Sequence, residues 1–351
     1  MIDAIMAAFK VPAHIEQAFR KTPRHYFLPG VDLDAAYKDD AVVTSWTEDG
    51  KEPLSSSSQP SLMAAMLDCL DLASGHNVLE IGTGTGYNAA LLAAITGSPS
   101  RVYSVDVAPE FVKQARSNLE AQGTVGITLE AADGWFGWPA GAPYDSIIVT
   151  ACAHDIAPAW FDQLKDGGRI VVPWGAYRLM TFVKKGETLE LLSHQFCGFM
   201  RMRGEFDWRK VGTDALQNGA HLQTLQTMVE TSAPSNPAGS LEDLVFFLSL
   251  YVWPRSASVV QVGGRNTLLI SDQDYRGSLV MKDDVCWQLT GPIEDVSGHV
   301  AFITKQWHEL GAPGPGRLKL TGALRREGEG EARPEDIIRR QWFDYRVSWP
   351  I

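Results

Sequence analysis

The chain has 351 residues, 45% hydrophobic and 21% charged, a balance that fits a soluble globular protein with room for one large domain and a smaller one. A net charge of −11 argues against a general nucleic-acid binder, which needs Lys and Arg to neutralise phosphates. Cys69, Cys152, Cys197 and Cys286 lie far apart, with no Cys-x-x-Cys pair and no clustered histidines, so buried free thiols are expected and no metal or disulfide framework.

The start, Met1-Ile2-Asp3-Ala4, lacks the basic and apolar regions of a signal peptide. No apolar run approaches the roughly 20 residues of a membrane span, and cytoplasmic residence is the expectation. Apolar positions at helical spacing (Ile5, Phe9, Ile15, Phe19) predict one or two helices broken near Pro12. Thr22 to Pro29 reads as an irregular segment bounded by prolines, and Ala41-Val42-Val43-Thr44 as a strand. Leu54-Ser55-Ser56-Ser57-Ser58-Gln59-Pro60 reads as a polar loop. Its serines suit a flexible linker or a helix cap, but the position just upstream of the next element favours a site. Pro60 is placed to open a helix whose buried face carries Leu62, Met63, Met66, Leu67 and Leu70.

The most informative stretch is Val78-Leu79-Glu80-Ile81-Gly82-Thr83-Gly84-Thr85-Gly86-Tyr87-Asn88. An apolar strand, a glycine turn and a helix over Ala89 to Ala94 form the ligand-binding unit of an open α/β sheet. The spacing is G-x-G-x-G, which is neither the G-x-G-x-x-G dinucleotide fingerprint nor a P-loop, since the phosphate lysine is missing. With Glu80 just before the first glycine, a cationic, phosphate-free nucleoside fits best, and S-adenosylmethionine is the candidate. Arg101 to Asp106 is a second strand ending in a carboxylate about twenty residues past the glycines, the place where an acid accepts from ribose hydroxyls. Pro109 to Gln122 is an amphipathic helix. Ile127 to Gly134 is a third strand ending in Asp133-Gly134, either an acceptor for an adenine amine or a plain turn. Tyr144 to Thr150 is a fourth strand and Ile156 to Leu164 a helix closed by Asp166-Gly167-Gly168. A fifth strand spans Arg169 to Pro173, and Leu179 to Lys184 with Thr188 to Gln195 forms a terminal hairpin. The result is a doubly wound α/β sheet.

After Gly204 the character changes, which divides the chain into 1–204 and a C-terminal α+β accessory domain, 205–351. Helices are expected over Gln217 to Thr231 and near Gly298 to Leu310, and strands over Ser258 to Val262, Thr267 to Ser271, Gly277 to Met281, Arg317 to Leu324 and Trp342 to Trp349. Glu327 to Asp336 reads as an exposed loop. The aromatic-rich Leu244 to Trp253 is either core or a peptide-docking groove.

Several segments together resemble the protein-L-isoaspartate O-methyltransferase family: Pro23-Arg24-His25-Tyr26-Phe27, Ser58-Gln59-Pro60, the Val78 to Tyr87 stretch, Asp133-Gly134, Pro143-Tyr144-Asp145, Gln163 to Arg169 and Val172-Pro173-Trp174-Gly175. The resemblance implies a Rossmann-like methyltransferase sheet behind an N-terminal helical segment, S-adenosylmethionine as cofactor, and a protein or peptide partner bearing Asp or isoAsp. Neither a nucleic acid nor a membrane is expected as partner. It places the catalytic serine at Ser58. It also places cofactor contacts at Ser55, Ser56 and Ser57, at Gly82, Thr83 and Gly84 after Glu80, at Asp106, and at Asp133 and Gly134. Two departures stand out: Ser56-Ser57 replaces the family's Thr-Ile, and residues 205–351 continue past the point where the repair enzymes end. A subgroup with both features looks like the aspartate methyltransferases of lanthipeptide and graspetide clusters. That likeness implies methylation of an aspartate in a modified precursor peptide, leading to succinimide or isoaspartate, with repair of isoaspartyl damage as the alternative. His25 and His154 are near-site or structural candidates. Arg201 and Arg203 either face an anionic substrate or pair with Glu205 and Asp207.

Overall fold

The structure, a computed structural model, describes residues 2–3, 5, 11–174, 178–207, 229–230, 256–262, 265–271, 276–282, 286–290, 314, 317–324, 337–339 and 343–348. By its internal contacts the chain separates into two compact units, Met1–Phe206 and Asp207–Ile351.

The first unit opens with helix α1 (Ala13–Lys21), which buries Ile15, Ala18 and Phe19. The proline-bounded segment after it is not irregular throughout: Arg24–Phe27 closes a 3-10 turn, and a short helix α2 (Leu33–Ala36) follows, capped by the Asp32 carboxylate. Next comes an antiparallel ribbon of β1 (Val42–Trp46) and β2 (Pro53–Ser57), in register Val42 to Ser57 and Val43 to Ser56. The serines expected in a loop are therefore mostly strand. They pair through their backbones, which a hydrophobicity pattern does not report. Helix α3 (Pro60–Cys69) begins at Pro60, as its fixed φ favours at a first helical position.

The central sheet of this unit is built from β3 (Val78–Ile81), β4 (Val102–Asp106), β5 (Thr128–Ala131), β6 (Tyr144–Val149), β7 (Leu164–Trp174), β8 (Arg178–Lys185) and β9 (Thr188–Phe196). Their order is β9-β8-β7-β6-β3-β4-β5. Strands β5, β4, β3, β6 and β7 run parallel, and β8 and β9 fold back antiparallel. Every residue of β3 is buried, as a parallel strand covered on both faces requires. Helices α4 (Tyr87–Thr96), α5 (Pro109–Gln122) and α6 (Pro158–Gln163) supply crossovers. Helix α4 is apolar nearly all round and correspondingly buried. Its first ring, Tyr87, packs against Phe19 (6.2 Å) and Phe27 (5.2 Å). Because β6 returns to the far side of β3, chain order reverses between them, and ligands collect at the carboxyl ends of the strands beside such a reversal. One boundary departs from the sequence pattern: β7 starts at Leu164 and takes in Asp166-Gly167-Gly168, which bulge out between the Tyr144–Leu164 and Ser146–Arg169 pairs.

In the second unit, β11 (Ser256–Val262), β12 (Arg265–Ser271), β13 (Arg276–Lys282) and β14 (Cys286–Thr290) make an antiparallel meander that β10 (Val229–Glu230) extends. Separately, β17 (Phe343–Ser348) pairs with β15 (Lys319–Leu324) and β16 (Ile337–Arg339). The expected strands appear, each close to its predicted span. The helix expected over Gln217 to Thr231 is corrected at its end, where Val229 and Glu230 pair with Leu289 and Gln288. The rest of that segment, Leu241 to Trp253, Gly298 to Leu310 and Glu327 to Asp336 lie outside the described residues. Among the described residues, no helix is long and apolar enough to cross a membrane. Cys152 and Cys197 are buried and Cys69 is half-buried, and none of the three is in a disulfide.

Candidate active site

The site grows from the end of β3. Gly82 has φ +103°, and an added Cβ would fall on the Thr150 hydroxyl, which donates to the Gly82 carbonyl at 2.7 Å. Gly84 has φ +50°, and a Cβ there would lie 3.6 Å from the Ser56 carbonyl and 3.7 Å from Ser55 Oγ. The serine ribbon thus lies directly against the glycine turn, where the positive φ of Gly84 favours glycine. Between them opens a cavity of about 540 Å³, walled by the ribbon, the turn, the ends of β4 and β6, and the segment 198–203.

Ser55, Ser56, Ser57, Ser58, Glu80, Gly82, Thr83, Gly84, Asp106 and Gly134 all line this cavity. Burial alternates along the serines: Ser55 and Ser57 are buried, Ser56 and Ser58 half-buried. The Ser57 hydroxyl is turned to Arg24, accepting from its Nε at 3.4 Å. The Ser58 hydroxyl makes no hydrogen bond to another described residue and is left to the cavity. Asp133 is placed differently. Its carboxylate accepts from the backbone N–H groups of Trp135 (2.9 Å) and Glu205 (2.8 Å), tying its own turn to the chain at Glu205.

Two buried carboxylates set the electrostatics. Glu80 accepts from Asn88 Nδ2 (2.8 Å) and from the Ser104 hydroxyl, which also bonds the Thr83 hydroxyl at 2.7 Å. Burial pushes its pKa up to about 7; the Ser104 and Asn88 bonds oppose the rise and the Asp106 charge adds to it. Asp106 accepts from Gly84 N–H (3.0 Å) and Ala108 N–H (3.1 Å). Burial raises its pKa too, against those two bonds and Arg203, whose Nη2 stands 3.8 Å away. The carboxylates of Glu80 and Asp106 beside a glycine turn suit a cationic ligand.

Sequence reasoning missed Thr150, Asn88, Ser104 and most of the 198–203 wall. Thr150 follows the end of β6 beside the chain reversal, so a strand-end rule finds it. The 198–203 wall is held by Cys152, whose N–H donates to the Met200 carbonyl (2.7 Å) while its carbonyl accepts from Met202 N–H (3.0 Å). No local pattern reports such a pairing. Arg201 and Arg203 both line the cavity; Arg203 also lies over the Phe111 ring at 5.4 Å. His25 Nδ1 meets the Tyr37 hydroxyl at 2.7 Å, and His154 is a core residue with its ring edge-on to Phe206 at 5.0 Å. Neither histidine lines the cavity.

Comparison with known proteins agrees with this geometry. The family profile described as Protein-L-isoaspartate(D-aspartate) O-methyltransferase matches residues 3–202. The chain belongs to that family. As a family member it is a class I, S-adenosylmethionine-dependent methyltransferase with the Rossmann-like α/β fold. Protein-L-isoaspartate O-methyltransferase of Pyrococcus horikoshii is 37% identical over 206 residues, covering 56% of this chain and 87% of that one. The Thermotoga maritima protein of the same name is 40% identical over 170 residues, covering 48% of this chain, and the match spans only 53% of the Thermotoga protein's length. A solved structure titled protein-L-isoaspartate O-methyltransferase aligns over 100% of both chains, with a TM-score of 0.61 and 25% identity. A long C-terminal extension therefore occurs in proteins of that name, and it does not by itself set this chain apart from them.

Proposed function

We propose that this protein methylates the carboxylate of an isoaspartyl residue in a protein or peptide. The observation that carries the reading is the juxtaposition of the serine ribbon and the glycine turn across one acidic cavity, with the Ser58 hydroxyl in the lining and bonded to no described residue. Bound S-adenosylmethionine would supply an electrophilic methyl group on a sulfonium. Asp106 would hold ribose hydroxyls, Glu80 would balance the cofactor's positive charge, and Gly82 to Gly84 would leave room for its backbone-side face. Asp133 contributes by fixing the turn that presents Gly134 to the cavity, and Thr83 by its bond to Ser104.

The acceptor carboxylate is already ionised, with a free pKa of about 3.9, so no general base is needed. The protein's task is alignment, which places reacting atoms at roughly 3–3.5 Å and in line. Ser58 would donate one neutral hydrogen bond to a carboxylate oxygen, orienting it without quenching the other. Arg201 and Arg203 in the lining favour entry of an anionic group into a protein of net charge −11. The ester formed is then attacked by the next backbone nitrogen; methanol leaves, a succinimide closes, and its hydrolysis returns aspartate or isoaspartate.

The second reading is tailoring of an aspartate in a ribosomally made, modified precursor peptide, with a succinimide or isoaspartate as product. One observation favours it: Ser56-Ser57 in place of the family's Thr-Ile makes the wall next to Ser58 less bulky and more polar. A mass assay with labelled cofactor on an isoaspartyl peptide, its aspartyl twin and a cyclised aspartyl peptide separates the two. Methyl gain on the isoaspartyl peptide alone supports the first reading; gain on the cyclised aspartyl peptide alone replaces it with the second.

A further inference from the structure

Arg24 is completely buried, yet no carboxylate is among its hydrogen-bond acceptors. Its Nη1 donates to the carbonyls of Ala36 and Lys38, both at 3.0 Å. Its Nη2 faces the carbonyls of Asp40 (3.0 Å), Ser57 (3.1 Å) and Ser58 (3.0 Å), and Nε reaches Ser57 Oγ. One planar guanidinium therefore joins the 36–40 segment to the backbone on both sides of the Ser57–Ser58 peptide bond. From the other side, Asp39 at the end of that same segment accepts from Ser61 N–H (2.8 Å) and Gln59 Nε2 (3.2 Å).

We propose that Arg24 is the positioning residue of Ser58: with Asp39 as second arm, it sets the direction of the Ser58 hydroxyl by gripping the backbone around it. This rests on the methyl-transfer reading of Ser58. The chemistry selects arginine. Five N–H donors in a rigid fork can serve several carbonyls at once, whereas the three donors of an ammonium on a flexible stem cannot span them. Fixing the carbonyls of residues 57 and 58 fixes the peptide planes that flank the Ser58 Cα, and hence where its Cβ points. A weak neutral hydrogen bond orients a substrate only if its donor does not wander. Misplacement of about 1 Å costs roughly 10²-fold in rate. The buried charge also explains why burial lowers the Arg24 pKa: desolvation outweighs the nearby Asp39 and Asp40.

The test compares full-length Arg24→Lys, Asp39→Ala and Ser58→Ala proteins, the double variant Arg24→Lys/Ser58→Ala, and wild type. Two readouts are taken: methyl-transfer kinetics and amide hydrogen exchange across residues 55–61. Arg24→Lys is expected to lower kcat by roughly 10²-fold with the cofactor KM little changed, and to cost nothing further when Ser58 is already alanine. Asp39→Ala should reduce kcat less, in the same direction, and both single variants should speed exchange in 55–61 while β3 keeps its protection. Wild-type kcat in a folded Arg24→Lys protein, or an equal further loss in the Ser58→Ala background, overturns the proposal. If Arg24→Lys does not fold, the exposed Asp39 site decides, and unchanged kcat and exchange there count against it. Should wild type transfer no methyl to any peptide, the functional reading fails; unchanged exchange in the Arg24 variant would separately remove the grip.

Discussion

Single side chains decide the chemistry proposed for the cavity. Ser56 and Ser58 are the two serines of the run that are half-buried in the cavity with hydroxyls unbound to described residues, Ser57 being engaged with Arg24, and the family resemblance places the catalytic role at Ser58. Ser58→Ala is therefore expected to keep cofactor affinity, measured by calorimetry, and to lose about 10²–10³-fold in kcat, the scale of losing one aligned donor; undiminished turnover removes the serine from the mechanism. Glu80 adds a pH dependence. Its folded pKa, about 7, lies above the ordinary 4.5, so the empty protein holds the proton across that window. Stability contributed by this group is present below 4.5 and lost as pH rises through about 7. A cation bound nearby favours the carboxylate, so cofactor affinity should rise with pH from 6 to 8, by at most about tenfold per unit. Calorimetry in buffers of different ionisation enthalpy should show proton release near pH 6.5, absent in Glu80→Gln; an equal release in that variant assigns the proton elsewhere.

At the scale of elements, what the sequence revealed depended on whether local pattern and tertiary role coincide. Val78 to Ile81 and Tyr144 to Val149 are apolar runs because both faces of a parallel strand are covered, and both read correctly. Helix α5 fits its predicted span residue for residue, opened by Pro109 and closed by Gly123 in the left-handed region. Strand β2 was illegible because its pairing is backbone to backbone with β1 and its side chains are nearly all serine. Asp133-Gly134 read either as an acceptor for an adenine amine or as a plain turn; the bond of Asp133 to Glu205, 72 positions later, is a contact no local window contains. The glycine turn gives an ordered prediction. Both Gly82 and Gly84 have positive φ, which costs an L-residue about 1–2 kcal/mol. Only at Gly82 would a Cβ also collide with a bonded hydroxyl, that of Thr150. Gly82→Ala should thus lower Tm more than Gly84→Ala, while Gly84→Val should chiefly weaken cofactor binding by filling the space before Ser55 and Ser56. Equal Tm losses for the two alanine variants would mean that backbone strain alone matters.

For the whole molecule, the division of labour follows from where the cavity wall comes from. Every lining residue lies between Asp40 and Arg203, inside the first unit, Met1–Phe206. The family match ends in the same place, at residue 202. The change of character after Gly204 was legible because the βα alternation stops there, but what Asp207–Ile351 does was not, since strand patterns report burial and not partners. Cofactor binding and methyl transfer should therefore be properties of the first unit, and choice among large substrates a property of the second. A chain ended after Phe206, shown to be folded by near-ultraviolet circular dichroism, is expected to keep its cofactor Kd. Its kcat/KM on a short isoaspartyl peptide should fall by less than about tenfold, or 1.4 kcal/mol, and by more on an isoaspartyl site in a folded protein. The comparison is the informative quantity, because truncation that loosens the first unit lowers both rates together. Equal losses on the two substrates would take substrate choice away from the second unit. A folded truncation that no longer binds cofactor would mean that the cavity needs more of the chain than its own wall.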